Sequence, residues 1–111
     1  MKLRSFIEIY PFIKIKKDEI WGKLPVKSLS EFLVSTQGRI FNKSTGNLIK
    51  GKSMSNGQKA FDLKIKNKKG RKTMNFGYAV ALTFLPKNKK MKVKHIDGNL
   101  LNNNLSNIAW R

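Results

Sequence analysis

The sequence predicts an α+β fold built from small antiparallel β-hairpins with one or two short helices. Three observations carry this reading. Phe61, Leu63 and Ile65 alternate with Asp62, Lys64 and Lys66, and Lys72, Met74 and Phe76 alternate with Thr73 and Asn75. A period of two marks strands with one buried face, and Asn67 to Gly70 supplies the turn between them. Next, Gly77 to Leu85 places Tyr78, Ala81, Leu82 and Leu85 at helical spacing, and Pro86 ends the run. Last, the apolar pieces around Val93–Ile96 and Ile108–Trp110 flank Asp97-Gly98 and an asparagine-rich stretch, which predicts a closing hairpin with a structured loop.

In chain order, Ile7/Ile9 and Ile13/Ile15 lie on either side of Pro11. Their alternation predicts two short extended pieces within residues 1–17, an N-terminal extension or docking arm. Trp21 is expected to fill the core beside Leu24 and Val26. Phe32-Leu33-Val34 reads as a strand, Gln37-Gly38 as a turn and Ile40-Phe41 as the return; Thr45-Gly46-Asn47 turns again before Leu48-Ile49. Gly51 to Gly57 reads as loop, and Lys87 to Lys92 as a basic linker into the last hairpin.

At 111 residues the chain is one small domain or two subdomains. It has no cysteine and a single histidine, which excludes disulfides, thiolate zinc and multi-histidine metal sites. Twenty-four Lys and Arg against 6 Asp and Glu give a net charge of +18. Self-repulsion at that density points to a polyanionic partner. The cations run together as Lys64, Lys66, Lys68, Lys69, Arg71 and Lys72, and again as Lys87, Lys89, Lys90, Lys92 and Lys94; beyond Asp62 the only side-chain carboxylate is Asp97. A hairpin with one lysine face, led by the tip Lys68-Lys69-Gly70-Arg71, can lie along phosphates or enter a major groove. No apolar run reaches the length of a membrane span, and Glu8 and Pro11 break any signal-like helix, so no membrane partner is expected.

The sole histidine sits in Val93-Lys94-His95-Ile96-Asp97-Gly98-Asn99, followed by Asn102-Asn103-Asn104 and Asn107-Ile108-Ala109-Trp110. Composition alone allows a plain hairpin loop. The spacing resembles the HNH nuclease domain of phage and organellar homing endonucleases. Upstream, Asp18-Glu19-Ile20-Trp21 and Phe32-Leu33-Val34-Ser35-Thr36-Gln37-Gly38-Arg39-Ile40 resemble the modular DNA-binding motif that precedes that domain, and Ala79 to Pro86 resembles the helix before its hairpin. The resemblance covers residues 18–111. It divides the chain into the extension at 1–17, a modular nucleic-acid-binding motif at 18–57 and an HNH-like domain at 58–111.

The resemblance implies a phosphodiesterase using one divalent metal, with His95 as general base and Asn107 orienting its imidazole. Asp97, Gly98, Asn99, Asn102 and Asn103 match the loop between the strands. Three positions depart from the pattern. Lys94 stands where close relatives carry a metal-binding carboxylate, the chain ends at Arg111 before the helix bearing the last ligand, and Gly77-Tyr78 replaces a His-Arg pair. Asp97 is the substitute ligand on offer. The leading expectation is therefore a degenerate, truncated HNH protein that binds nucleic acid without cleaving it. RNA is favoured over DNA, as in a mitochondrial ribosomal protein among other ribonucleoprotein proteins, with no cofactor and with Lys94 as a phosphate contact. The alternative is an active, magnesium-dependent endonuclease nicking DNA; a DNA-binding regulator or a fragment of a split enzyme is a third reading. Abundant Lys, Asn and Ile suit an AT-rich genome, hence a mitochondrial matrix or a phage-infected cytoplasm. If six to ten phosphates are contacted, affinity for nucleic acid should fall about 10³ to 10⁵-fold between about 50 and 200 mM salt in a filter-binding titration.

Overall fold

The computed structural model describes residues 14–26, 31–64, 71–87 and 92–111. The apolar pair at Ile7/Ile9, Ile13, the strand end at Ile65 and the turn at 67–70 lie outside the described residues.

Residue parity sets the first sheet. Strands β1 (Trp21–Lys23), β2 (Phe32–Ser35), β3 (Ile40–Asn42) and β4 (Asn47–Leu48) pair antiparallel in chain order. Trp21 lies opposite Ser35, and Leu33 opposite Phe41, so Trp21, Leu33 and Phe41 share one face, with Ile15 packed on them. Phe32, Val34 and Ile40 take the other face, where the main core lies. Both faces are apolar because consecutive residues of β2 are apolar. Trp21 does fill a core, but not beside Leu24 as expected. Three residues on from Trp21, Leu24 falls on the opposite face and joins the main cluster.

The second sheet holds β5 (Lys52–Ser53), β6 (Lys59–Lys64) and β7 (Arg71–Asn75). Strand β5 occupies part of the stretch expected to be loop. It has no apolar alternation and is held by pairing with Lys59 and Ala60. β6 and β7 pair from Ala60↔Asn75 to Lys64↔Arg71, the hairpin the alternation predicts.

Phe76 is not the last residue of β7 but the first of the helix, α1 (Phe76–Phe84). Asn75 is extended and caps it without a side-chain bond; at the other end the Leu85 N–H closes on Ala81 O before Pro86. Ala79, Val80, Ala81 and Thr83 are all buried, and Tyr78, Leu82 and Leu85 are half-buried. The helix is therefore enclosed nearly all round, and Thr83 satisfies its hydroxyl on Ala79 O at 2.8 Å.

Three rings tie these layers together. Phe32 meets Phe61 with centroids 5.6 Å apart, and Phe61 meets Phe76 edge-on at 5.4 Å. Each such pair adds about 0.5–1.5 kcal/mol beyond the burial itself. The core runs on through Val80 to Ile108 in the closing hairpin, so packing is continuous across residue 57. That hairpin is β8 (Val93–His95) and β9 (Ile108–Trp110), antiparallel, with a 3-10 turn at Leu105–Asn107 leading into β9. Trp110 anchors it to α1, edge-on to Tyr78 at 6.1 Å and donating from Nε1 to Pro86 O. Among the described residues no helix is long and apolar enough to cross a membrane.

The β2–β3 turn is held by an ion pair between half-buried Arg39 and buried Glu19. Arg39 forks onto the Glu19 carboxylate, Nε to Oε2 at 2.7 Å and Nη2 to Oε1, and Nη2 also donates to Lys14 O. Burial pushes the Glu19 pKa up, but the Arg39 hydrogen bonds and charge, the Lys16 N–H and Ser35 outweigh it, leaving the pKa below its ordinary value. Its folded-state pKa being lowered, Glu19 stabilises the protein above the ordinary carboxyl range, and that stability is lost as pH falls through the folded value. Arg39→Ala would strand a buried carboxylate and should cost about 3 kcal/mol at neutral pH in urea denaturation. The variant should lose less than the parent on acidification to about pH 4, because protonation then relieves it. Equal acid sensitivity in both would contradict this account.

Candidate active site

Alternation along β8 decides which side chain reaches the interior. Val93 is half-buried, Lys94 exposed and His95 only 8% exposed. His95 lies opposite Ile108 and shares the core face with it, while Lys94 and Ala109 form the outer face. The His95 ring comes up against the first turn of α1. There, a Cβ added to Gly77 would stand 3.0 Å from His95 Nε2 and 3.0 Å from Asn103 Oδ1.

His95 Nε2 and Asn103 Oδ1 are 2.8 Å apart, and Asn103 is buried. With the amide oxygen turned to the ring, the matching arrangement has Nε2–H donating to it. In the neutral ring Nδ1 is then the bare acceptor, the state a general base needs. The residue expected in this role was Asn107, but its side chain is used elsewhere. Asn107 Oδ1 accepts from Asp97 N at 2.9 Å, and Nδ2 donates to Asp97 Oδ1 and Asn102 O, both at 2.9 Å. Asn107 thus staples the two ends of the loop to each other, and Asn103 touches the imidazole. Five asparagines crowd this loop, and their spacing does not say which of them faces the ring.

Asp97 completes the staple. Its carboxylate accepts from Asn102 Nδ2 at 3.0 Å, Asn99 N at 2.7 Å and Asn107 Nδ2. These bonds, Asn102's first, hold its pKa below the usual carboxylate value. The expectation of Asp97 as a metal ligand thus meets a carboxylate whose two oxygens already serve the loop. Among the described residues no three His, Cys, Asp or Glu side chains converge. A divalent cation such as magnesium needs several oxygen donors, and Lys94 contributes only a positive charge beside His95. The described side chains therefore do not fit a metal ion.

Beside His95 is an open hollow of about 530 Å³ lined by Gln58, Val93, Lys94, His95, Leu100 and Arg111. The lining draws on residues from both faces of β8, and the volume is large enough for a phosphodiester group. Gln58 and Arg111 carried no motif signal; they enter through the β5–β6 turn and the end of β9. Lys87 and Lys92 are exposed at either end of the basic linker. Lys64 lies at the end of β6, and Arg71 and Lys72 lie in β7. Lys66, Lys68, Lys69, Lys89 and Lys90 are outside the described residues.

If Asn107 is the staple, Asn107→Asp should place a second carboxylate against Asp97 in place of an amide donor. The melting temperature should then drop by several degrees at neutral pH and recover as acid protonates one of the pair. A pH-independent loss would show that the amide acts through packing alone.

No protein-family model matches the chain. Two uncharacterized HNH endonucleases of Acanthamoeba polyphaga mimivirus are similar to it. One is 34% identical over 100 residues, 86% of this chain and 24% of that protein. The other is 30% identical over 98 residues, 87% of this chain and 29% of that protein. The chain thus spans about a quarter of these relatives' length. Among solved structures, the HNH homing endonuclease I-HmuI matches with a TM-score of 0.71 and 25% identity, over 82% of this chain and 51% of that one. Sequence similarity, backbone superposition and the mixed antiparallel architecture converge, and the chain is an HNH endonuclease-like protein.

Proposed function

We propose that the chain engages DNA and nicks it, as the HNH-bearing part of an endonuclease. The observation that carries this reading is that His95, with Nε2 engaged by Asn103, lines the same hollow as Lys94 and Arg111. A backbone phosphate in that hollow would be neutralised by the two cations. His95 Nδ1 would take a proton from water as its oxygen bonds to phosphorus, while the bond to the leaving sugar oxygen breaks and solvent protonates that oxygen. Because the described side chains do not fit a metal ion, no step here is assigned to one.

The relatives' names and the solved neighbour, whose structure concerns DNA binding and cleavage, support DNA over the RNA partner expected from the sequence. Nothing in these comparisons supports a ribosomal or mitochondrial role. The departures at Lys94 and Gly77 had argued for a lost activity. Against that, the imidazole Nε2 is engaged by Asn103, and Asp97 and Asn107 hydrogen-bond the loop beside it.

The test is to incubate DNA from the source genome with the protein in magnesium, in manganese and in chelator, and to map new 3′ ends by sequencing. Nicks at reproducible positions, reduced about 10²-fold or more in rate by His95→Ala, are expected. DNA that is bound but intact under every condition would overturn the endonuclease reading. A preference for RNA in direct competition would return the RNA-binding reading to first place.

A further inference from the structure

Three pieces of chain from different parts of the fold meet at Asn103. On one side is α1, where Gly77 leaves only enough room for the His95–Asn103 contact. On the other is the β2–β3 turn of the first sheet. Gly38, at φ +78°, lies so close that an added Cβ would stand 2.9 Å from Asn103 O and 3.0 Å from Asn103 Cβ. Two residues on, Leu105 N donates to Thr36 O at 2.7 Å. The same turn is fixed from behind, since Thr36 N donates to Ile20 O and Arg39 forks onto Glu19.

We propose that Asn103 is the positioning residue for the His95 imidazole, and that Gly38 of the β2–β3 turn holds Asn103 in place, so that the first sheet sets the state of the base. The inference rests on reading His95 as the base. Its physical content is a steric one: interiors are close-packed, and a clamp bounded by two glycines has no slack on either side. A displacement of the turn by a few tenths of an ångström moves the Asn103 backbone directly, and the imidazole loses the acceptor that fixes its tautomer.

Because His95 is the only histidine, its ring nitrogens can be read without assignment in long-range ¹H–¹⁵N spectra of the 111-residue chain. At alkaline pH, where an imidazole is neutral, the Nε2–H form should dominate. Asn103→Leu should lower the ratio of Nε2–H to Nδ1–H by about tenfold, the worth of one hydrogen bond, whereas Asn103→Asp, which keeps an oxygen acceptor, should preserve it. Gly38→Ala should also disturb the ring signals. Gly46→Ala is its control: Gly46 has nearly the same φ, +73°, but nothing lies within 4 Å of an added Cβ. Gly77→Ala should disturb them too, although alanine is the better helix former by about 1 kcal/mol.

A predominantly Nδ1–H ring in the parent protein, or a ratio unmoved by Asn103→Leu in a folded variant, would overturn the assignment of Asn103. Gly38→Ala signals matching those of Gly46→Ala would overturn the link to the first sheet. If Asn103→Leu does not fold, the parent tautomer and the glycine pair still decide. A chain that never nicks DNA would sink the endonuclease reading and leave these signals unchanged, so the two failures are distinguishable.

Discussion

Everything around His95 depends on how closely the start of α1 can approach the closing hairpin. Phe76 and Gly77 are adjacent, yet they do opposite things. Phe76 is a large ring locked edge-on to Phe61, and through Phe61 to Phe32, so the helix start is fixed against both sheets. Gly77 presents no side chain, so the same helix start can meet the imidazole and its asparagine without displacing them. A bulkier residue at 77 would force either the ring or the helix away. Because the three phenylalanines hold the helix, the ring would be the part to move. The family's pattern places a histidine at this position, and the substitution by glycine here, which counted as a defect in the sequence, is what the close contact uses.

Electrostatics divides the molecule in another way. Three carboxylates are each dealt with locally: buried Glu19 takes Arg39, exposed Asp62 takes Lys52, and exposed Asp97 is surrounded by neutral asparagine donors rather than by cations. That last choice leaves Lys94 and Arg111 uncommitted to Asp97 while they line the hollow beside His95. Had Asp97 been satisfied by lysine, the loop would have been ordered at the expense of the positive charge facing that hollow. Asparagine orders the loop and leaves the surrounding field unchanged.

Much of this was legible in the sequence, and the exceptions have specific causes. The β6–β7 hairpin follows from alternation, and α1 from an apolar run stopped by Pro86. Each boundary moved by one residue because Phe76 satisfies both periods: it continues the alternation of Lys72 and Met74 and also opens the helical run. Strand β5 carries no apolar signal; its place depends on its partner, Ala60, eight residues away from Lys52. Trp21 and Leu24 were paired by proximity in sequence, whereas strand parity sends them to opposite faces. That Asn103 is the asparagine in contact with the ring was not readable, because a run of asparagines offers several candidates of the same chemistry. One signal did point to it: a glycine at 77 in the first turn of α1, where local helical structure alone would have tolerated a side chain; Gly38, at φ +78°, is already called for by the turn itself.

That last point bears on how an HNH-like chain with an altered ligand set is to be read. By resemblance Lys94 reads as a lost metal ligand and Asp97 as its substitute, and by that measure the chain is deficient. The geometry assigns them other work: Lys94 is the exposed, outward neighbour of a buried histidine, and Asp97 is the hub of a loop hydrogen-bonded to itself. Residues that order the loop and residues that would touch a phosphate are thus separate sets in this protein. A substitution in the first set can then change the imidazole while sparing binding, and one in the second can weaken binding while sparing the imidazole.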